Sequence, residues 1–151
     1  MTISLRGLRA AVRAALTGRP GPAAEPPEVA AAAQLLTEVV QREGRLIEIE
    51  AHDVLQLLAD WPGEQAELHV FVAEGPRASL PPLPAWLGSA RSALVEVTGG
   101  PDLTLVEVAT LSDALHARLP ADVELVFGAS VVPGADGQLG LRLVALAPAV
   151  A

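Results

Sequence analysis

Glu48, Glu50, His52 and Asp53 are the residues of this chain whose types and spacing could do chemistry. On an extended segment Glu48, Glu50 and His52 share one face at i, i+2 and i+4, a set of donors suited to a hard or borderline divalent metal. One strand supplies only three ligands, and no second cluster in the sequence completes a shell. Solvated strand surface is therefore the plainer account, and no metal or cofactor is expected. Asp53, with Gln56 three residues on, reads as the cap of a helix that begins there. His69 and His116 have no nucleophile or carboxylate pattern beside them and read as surface or boundary residues. Cysteine is absent, which removes thiolate nucleophiles, disulfides and cysteine metal clusters.

The other charged constellation is basic. Arg6, Arg9, Arg13 and Arg19 fall in the first twenty residues without an acid among them, leaving six Arg against eighteen Asp and Glu in the remainder. The opening segment is thus basic and the body acidic. With a net charge of −8 and 3% aromatic residues, the chain lacks the cationic surface and stacking rings that nucleic acid requires. The Arg6, Arg9 and Arg13 helix could touch an anionic membrane, but its apolar side is short and has no Trp or Phe, so contact would be weak or absent. Docking on the acidic body by charge is the simpler expectation. No apolar run approaches the roughly 18 residues of a membrane span, and no signal-peptide core opens the chain, so a cytoplasmic protein is expected.

The elements that must position these residues follow from periodicity and punctuation. Leu5, Leu8, Val12 and Leu16 mark one side of a helix that Gly18 stops. The stretch from Arg19 to Pro27 is too rich in proline for a regular element and reads as a linker. The expected organisation is residues 1–27 as basic helix plus linker and residues 28–151 as one domain. At 151 residues a single domain buries roughly 68–70% of its unfolded surface, enough for a core without staples. A second helix is expected from Pro27 to about Glu43, with Leu35, Leu36, Val39 and Val40 as its apolar face and Gly44 at its C-cap. Residues 46–50 read as extended, residues 53–60 as a short helix and residues 64–72 as a half-buried strand. The prolines at 76, 81, 82 and 84 leave room for at most one helical turn, near residues 84–91.

Residues 93–108, ALVEVTGGPDLTLVEV, read without a gap as strand, Gly-Gly turn and capped helix, with Thr104 and Glu107 as a capping box. A Pro120 break, the run VELVFGASVV from Val123, a Gly134-Ala135-Asp136-Gly137 turn and GLRLVALA from Gly140 complete a strand, helix, hairpin order. Gly128 in mid-strand suggests a bulge or a close backbone approach.

This ordered series, carried by Ala90-Arg91, Leu94, Thr98-Gly99-Gly100, Asp102-Leu103, Leu105, Glu107-Val108, Phe127-Gly128-Ala129 and residues 141–144, resembles the C-terminal domain of the bacterial tubulin homologue FtsZ. Upstream, LIEIEAHDVLQLL from Leu46 is similar to the family's loop that reaches a neighbouring subunit's nucleotide. The resemblance implies an α+β two-layer sandwich, a sheet of about four strands with helices on one face. It also places Glu48, Glu50 and Asp53 on the loop's three functional positions, of which only Asp53 keeps the family's residue. The family's glycine-rich phosphate loop and its nucleotide domain have no counterpart in this sequence, so no GTPase or other enzymatic activity is expected.

These readings imply a stand-alone FtsZ-like protein of bacterial cell division. It would meet FtsZ-type subunits through Glu48, Glu50, His52 and Asp53 and cap their polymer. The alternatives are a degenerate domain that self-associates as a scaffold or binds a ligand and, third, a metal-dependent hydrolase using Glu48, Glu50 and His52.

Overall fold

The structure is a computed structural model and describes residues 1–19, 26–41, 43–59, 61–77 and 82–149. In chain order its elements are β1 (Thr2–Ser4), α1 (Leu5–Leu16), α2 (Pro27–Gln41), β2 (Arg45–Ile47), α3 (Ala51–Ala59), β3 (Gln65–Pro76), a 3-10 turn (Ala85–Ser89), β4 (Ser92–Gly99), α4 (Leu105–Arg118), β5 (Glu124–Val131) and β6 (Gln138–Pro148). The strands form one sheet in the order β1-β3-β6-β4-β5-β2. Only β4 and β5 pair in parallel, because α4 carries the chain back between them. The α+β class expected from the sequence holds, with six strands among the described residues in place of about four.

The two additional strands are three residues each and lie at opposite edges, too short for alternation to announce them. β1 sets Thr2 against Glu67 and Ser4 against Gln65. The Ser4 Oγ then accepts the Gly7 amide at 3.3 Å and starts α1. β3 runs four residues past Val72, to Pro76, and proline is tolerated there because it closes the strand on the sheet's outer side. The expected alternation of Ala66, Leu68, Val70 and Val72 divides in two. Ala66 and Leu68 are buried, while Val70 and Val72 are 46% and 54% exposed.

Both faces of the sheet are covered. β4, between β6 and β5, is buried at every position but Thr98. Its Leu94 joins Leu5, Leu8, Val12, Leu36 and Leu58 in the core beneath α1, α2 and α3. Val95 and Val97 join Leu87, Val108 and Leu115 in the core beneath α4 and the 3-10 turn. Helices are expected on one face only, but α4 covers one face and α1, α2 and α3 cover the other, because β4 and β6 are apolar at successive positions and so have two faces to bury. Glu96 shares the Leu94 face and is 1% exposed, in register between Arg142 of β6 and Gly128 of β5.

The N-terminal helix is held differently from expectation. Leu5, Leu8 and Val12 have no exposed surface, and burying each such side chain contributes about 1.5–3 kcal/mol. The one ion pair of α1 among the described residues, Arg6 with Glu64 at 3.3 Å, joins side chains that are 83% and 77% exposed, and such pairs contribute about 0–1 kcal/mol. Apolar burial therefore outweighs charge in holding α1. Arg9 adds a bond from its Nε to the carbonyl of Leu58 at 2.8 Å, near the C-terminal end of α3. Residues 20–25 of the proline-rich linker and residues 78–81 lie outside the described residues.

Candidate functional site

The acidic loop hangs from the edge of the sheet. β2 pairs with β5 through Arg45 opposite Ser130 and Ile47 opposite Ala129, with an irregularity of register between them. Just beyond, Ile49 is 2% exposed and fills the space over Gly128. A Cβ at Gly128 would stand 2.4 Å from Ile49 Cγ1 and 3.2 Å from the carbonyl oxygen of Ile47. The close approach that a mid-strand glycine suggests is thus the seat of this loop.

Ile49 anchored inward leaves its neighbours Glu48 and Glu50 exposed. Neither carboxylate makes a hydrogen bond or ion pair among the described residues. The helix begins at Ala51, two residues earlier than the sequence suggests. The Glu50 carbonyl accepts the amides of Asp53 at 3.0 Å and Val54 at 3.4 Å, and the Asp53 Oδ2 accepts the Glu50 amide at 3.0 Å. Asp53 therefore caps from the third helical position, reaching back, instead of opening the helix itself. The early start also takes His52 out of the extended segment. The i, i+2, i+4 face of Glu48, Glu50 and His52 does not form, and among the described residues no three His, Cys, Asp or Glu are grouped to hold a metal ion.

The glycine-rich turn after β4 serves the fold. The capping box is present, with the Thr104 Oγ1 accepting the Glu107 amide at 3.2 Å and the Glu107 Oε1 accepting the Thr104 amide at 3.2 Å. Asp102 accepts from Arg77 Nη2 at 2.8 Å and from the Gly137 amide at 3.1 Å, and Arg77 Nη1 lies 3.1 Å from a Glu107 oxygen. Gly100 passes under the β5–β6 turn, where a Cβ would meet the Ala135 carbonyl carbon at 2.4 Å. Arg77 thus ties the end of β3 to α4 and to the turn before β6. Its distance of 25 residues from Asp102, across a proline-rich stretch, left no local signal of that role.

Of the histidines, His116 is exposed and bonds through Nδ1 to the carbonyl of Ser112, one turn back at 2.8 Å. His69 is half-buried and stacked on Trp86, with ring centroids 4.9 Å apart and planes at 13°. Burial first, and then the N-terminal charge, hold its pKa below the ordinary imidazole value, with Glu67 pulling the other way. Glu67 is itself held below the usual carboxylate range, chiefly by its bond to the N-terminal ammonium and then by Thr2.

The sheet is mixed, with α4 bridging the parallel β4–β5 pair, and β5 and β6 flank β4 on opposite sides instead of forming the hairpin that the sequence suggests. Residues 77–147 match the model of the FtsZ family, C-terminal domain. The cell division protein FtsZ of Caulobacter vibrioides is 36% identical over 59 residues, 39% of this chain and 12% of that protein. The cell division protein FtsZ 1 of Archaeoglobus fulgidus is 35% identical over 74 residues, 48% of this chain and 20% of that one. The chain thus matches only a fifth or less of the length of these relatives. Among solved structures, an empty FtsZ dimer from M. jannaschii superposes with a TM-score of 0.56 at 18% identity, covering 82% of this chain and 40% of that one. A mutant of M. jannaschii FtsZ gives 0.57 at 18% identity, covering 82% and 42%. The shared fold extends upstream of the matched sequence. No helix among the described residues is long and apolar enough to cross a membrane.

Proposed function

We propose that this chain binds FtsZ-type subunits through residues 48–53 and caps their polymer, without hydrolysing nucleotide itself. The observation that carries this reading is the seat of Ile49 over Gly128, which fixes Glu48 and Glu50 as outward carboxylates on a rigid edge. A rigidly presented charged loop loses little entropy on docking. The resemblance noted in the sequence makes the nucleotide face of another subunit its target. A contact role fits better than catalysis in trans, because the Asp53 carboxylate is already engaged by the Glu50 amide and glutamate at position 50 sets its carboxylate about one methylene further out than aspartate would. Misplacement near 1 Å costs roughly 10²-fold in rate.

An FtsZ-type filament grows head to tail, so residues 1–151 alone, offering the loop without a nucleotide face of their own, would stop an end. Substoichiometric protein is therefore expected to shorten cognate FtsZ filaments or slow their growth in a light-scattering polymerisation assay. The double variant Glu50→Arg, Asp53→Arg is expected to lose the effect, with circular dichroism confirming its fold. If equimolar wild-type protein leaves polymerisation unchanged, or the folded double variant acts like wild type, capping gives way to the scaffold reading.

A further inference from the structure

The arginines of α1 are not consumed by the fold. Leu5, Leu8 and Val12 have no exposed surface, so the apolar side of this amphipathic helix is spent on the protein's own core, and the side carrying Arg6, Arg9 and Arg13 is turned away from it. Arg6 pairs with Glu64, and both side chains are largely exposed. Arg9 donates its Nε to the Leu58 carbonyl at 2.8 Å, which fixes the guanidinium and leaves its Nη groups without a partner among the described residues. Arg13 is exposed and its side chain makes no hydrogen bond or ion pair among them. The acidic body thus leaves most of this stripe unneutralised. Arg9 and Arg13 form one wall of a cleft whose other wall is Leu55 and Ala59 of α3. A second cleft, shared with Arg6, Ala10 and Glu64, adjoins it through the same two arginines.

We propose that the cleft between α1 and α3 receives an acidic amphipathic helix of a partner protein. Both walls repeat at four residues, Arg9 and Arg13 on α1 and Leu55 and Ala59 on α3. Residues four apart on a helix stand about 5–6 Å from each other on one face. The complement is therefore a helix with carboxylates four residues apart and apolar side chains at the same interval on the adjoining stripe. Its carboxylates meet the two guanidinium groups, which pair with them through parallel bonds, while its apolar side chains lie along Leu55 and over the small Ala59. Glu64, already on Arg6, repels further acid and confines the contact to Arg9 and Arg13. A bilayer fits less well, because an in-plane helix inserts apolar side chains and those of α1 are buried in the core. Nucleic acid would meet a chain of net charge −8 and a cleft lined by no aromatic ring. The site lies toward the C-terminal end of α3 and the loop of residues 48–53 at its N-terminal end, so the two contacts do not overlap.

Fluorescence anisotropy of a labelled peptide with the full chain tests this. The probe is a peptide of about 20 residues, long enough to be helical alone, with glutamates four residues apart beside a stripe of leucines. Wild type is expected to bind it saturably, and more weakly as salt rises. Arg13→Gln is expected to weaken binding roughly 2- to 5-fold. Arg13→Glu is expected to lose it and to bind instead the same peptide with lysine for glutamate. Peptide variants read each wall on the unaltered protein: exchanging the leucines for glutamine, or the glutamates for glutamine, is expected to abolish binding. No saturable binding by wild type, undiminished binding by Arg13→Glu, or undiminished binding of the leucine-free peptide would each overturn the proposal. Arg13-dependent sedimentation with phosphatidylglycerol vesicles, in the absence of peptide binding, would overturn it too and assign the stripe to a membrane.

Discussion

Gly128 and Ile49 are separated by 79 residues of sequence, yet one has no side chain because the other occupies its place. Gly128→Ala would bring a methyl to 2.4 Å from Ile49 Cγ1 and is expected to cost about 1–3 kcal/mol by overpacking. In an Ile49→Ala background the same substitution should cost measurably less, as urea denaturation of the four-member cycle would show. His69 offers a second test. Its pKa is depressed in the fold, so between the folded and unfolded values the unfolded chain binds more protons. The neutral ring's contribution is complete above the ordinary imidazole value and is lost as pH falls through the folded one. Thermal stability is therefore expected to drop between about pH 8 and about pH 5 by more in wild type than in His69→Gln. At this scale the sequence was a partial guide. Gly128 in mid-strand announced a close approach because glycine weakens a strand unless something needs the room, whereas the partner, Ile49, was one apolar residue among many.

Elements were legible wherever a local pattern was sufficient to form them. The Thr104 and Glu107 box, the helix from Leu5 and the turn at Gly99-Gly100 depend on neighbours within four residues, and all are present. Edge strands β1 and β2 were not legible, since three residues carry no period and only their partners, 61 and more residues away, make them strands. The helix start before Asp53 was misplaced because an acidic residue can cap from the first position or reach back from the third with similar chemistry. For α1 both an apolar stripe and a run of arginines were visible, and burial of the stripe proves the stronger force. Leu8→Ala is expected to cost about 2–5 kcal/mol and Arg6→Ala no more than about 1 kcal/mol, as chemical denaturation would measure. Removing residues 1–27 should then lower the melting temperature sharply. If it leaves the midpoint unchanged, residues 1–27 and 28–151 are separate folding units.

Taken as a whole, the molecule presents two surfaces of opposite charge: carboxylates beyond β2, and arginines along α1. If residues 77–147 keep only the C-terminal portion of the FtsZ plan, calorimetry with GTP is expected to show no micromolar binding, since no loop in the sequence gathers several glycines at a helix N-terminus to cradle phosphates. The order of the strands bears on how the chain is made. β6, the last strand in sequence, lies between β3 and β4 and pairs with both along most of its length. Before it arrives, the β1–β3 pair and the β4–β5–β2 set share no ladder. During synthesis, at about 5–20 residues per second from the N-terminus, the ribosome therefore releases two half-sheets with exposed inner edges. The sheet becomes continuous only when the final strand slides between them, so a stalled or prematurely terminated product would lack the element that joins its halves.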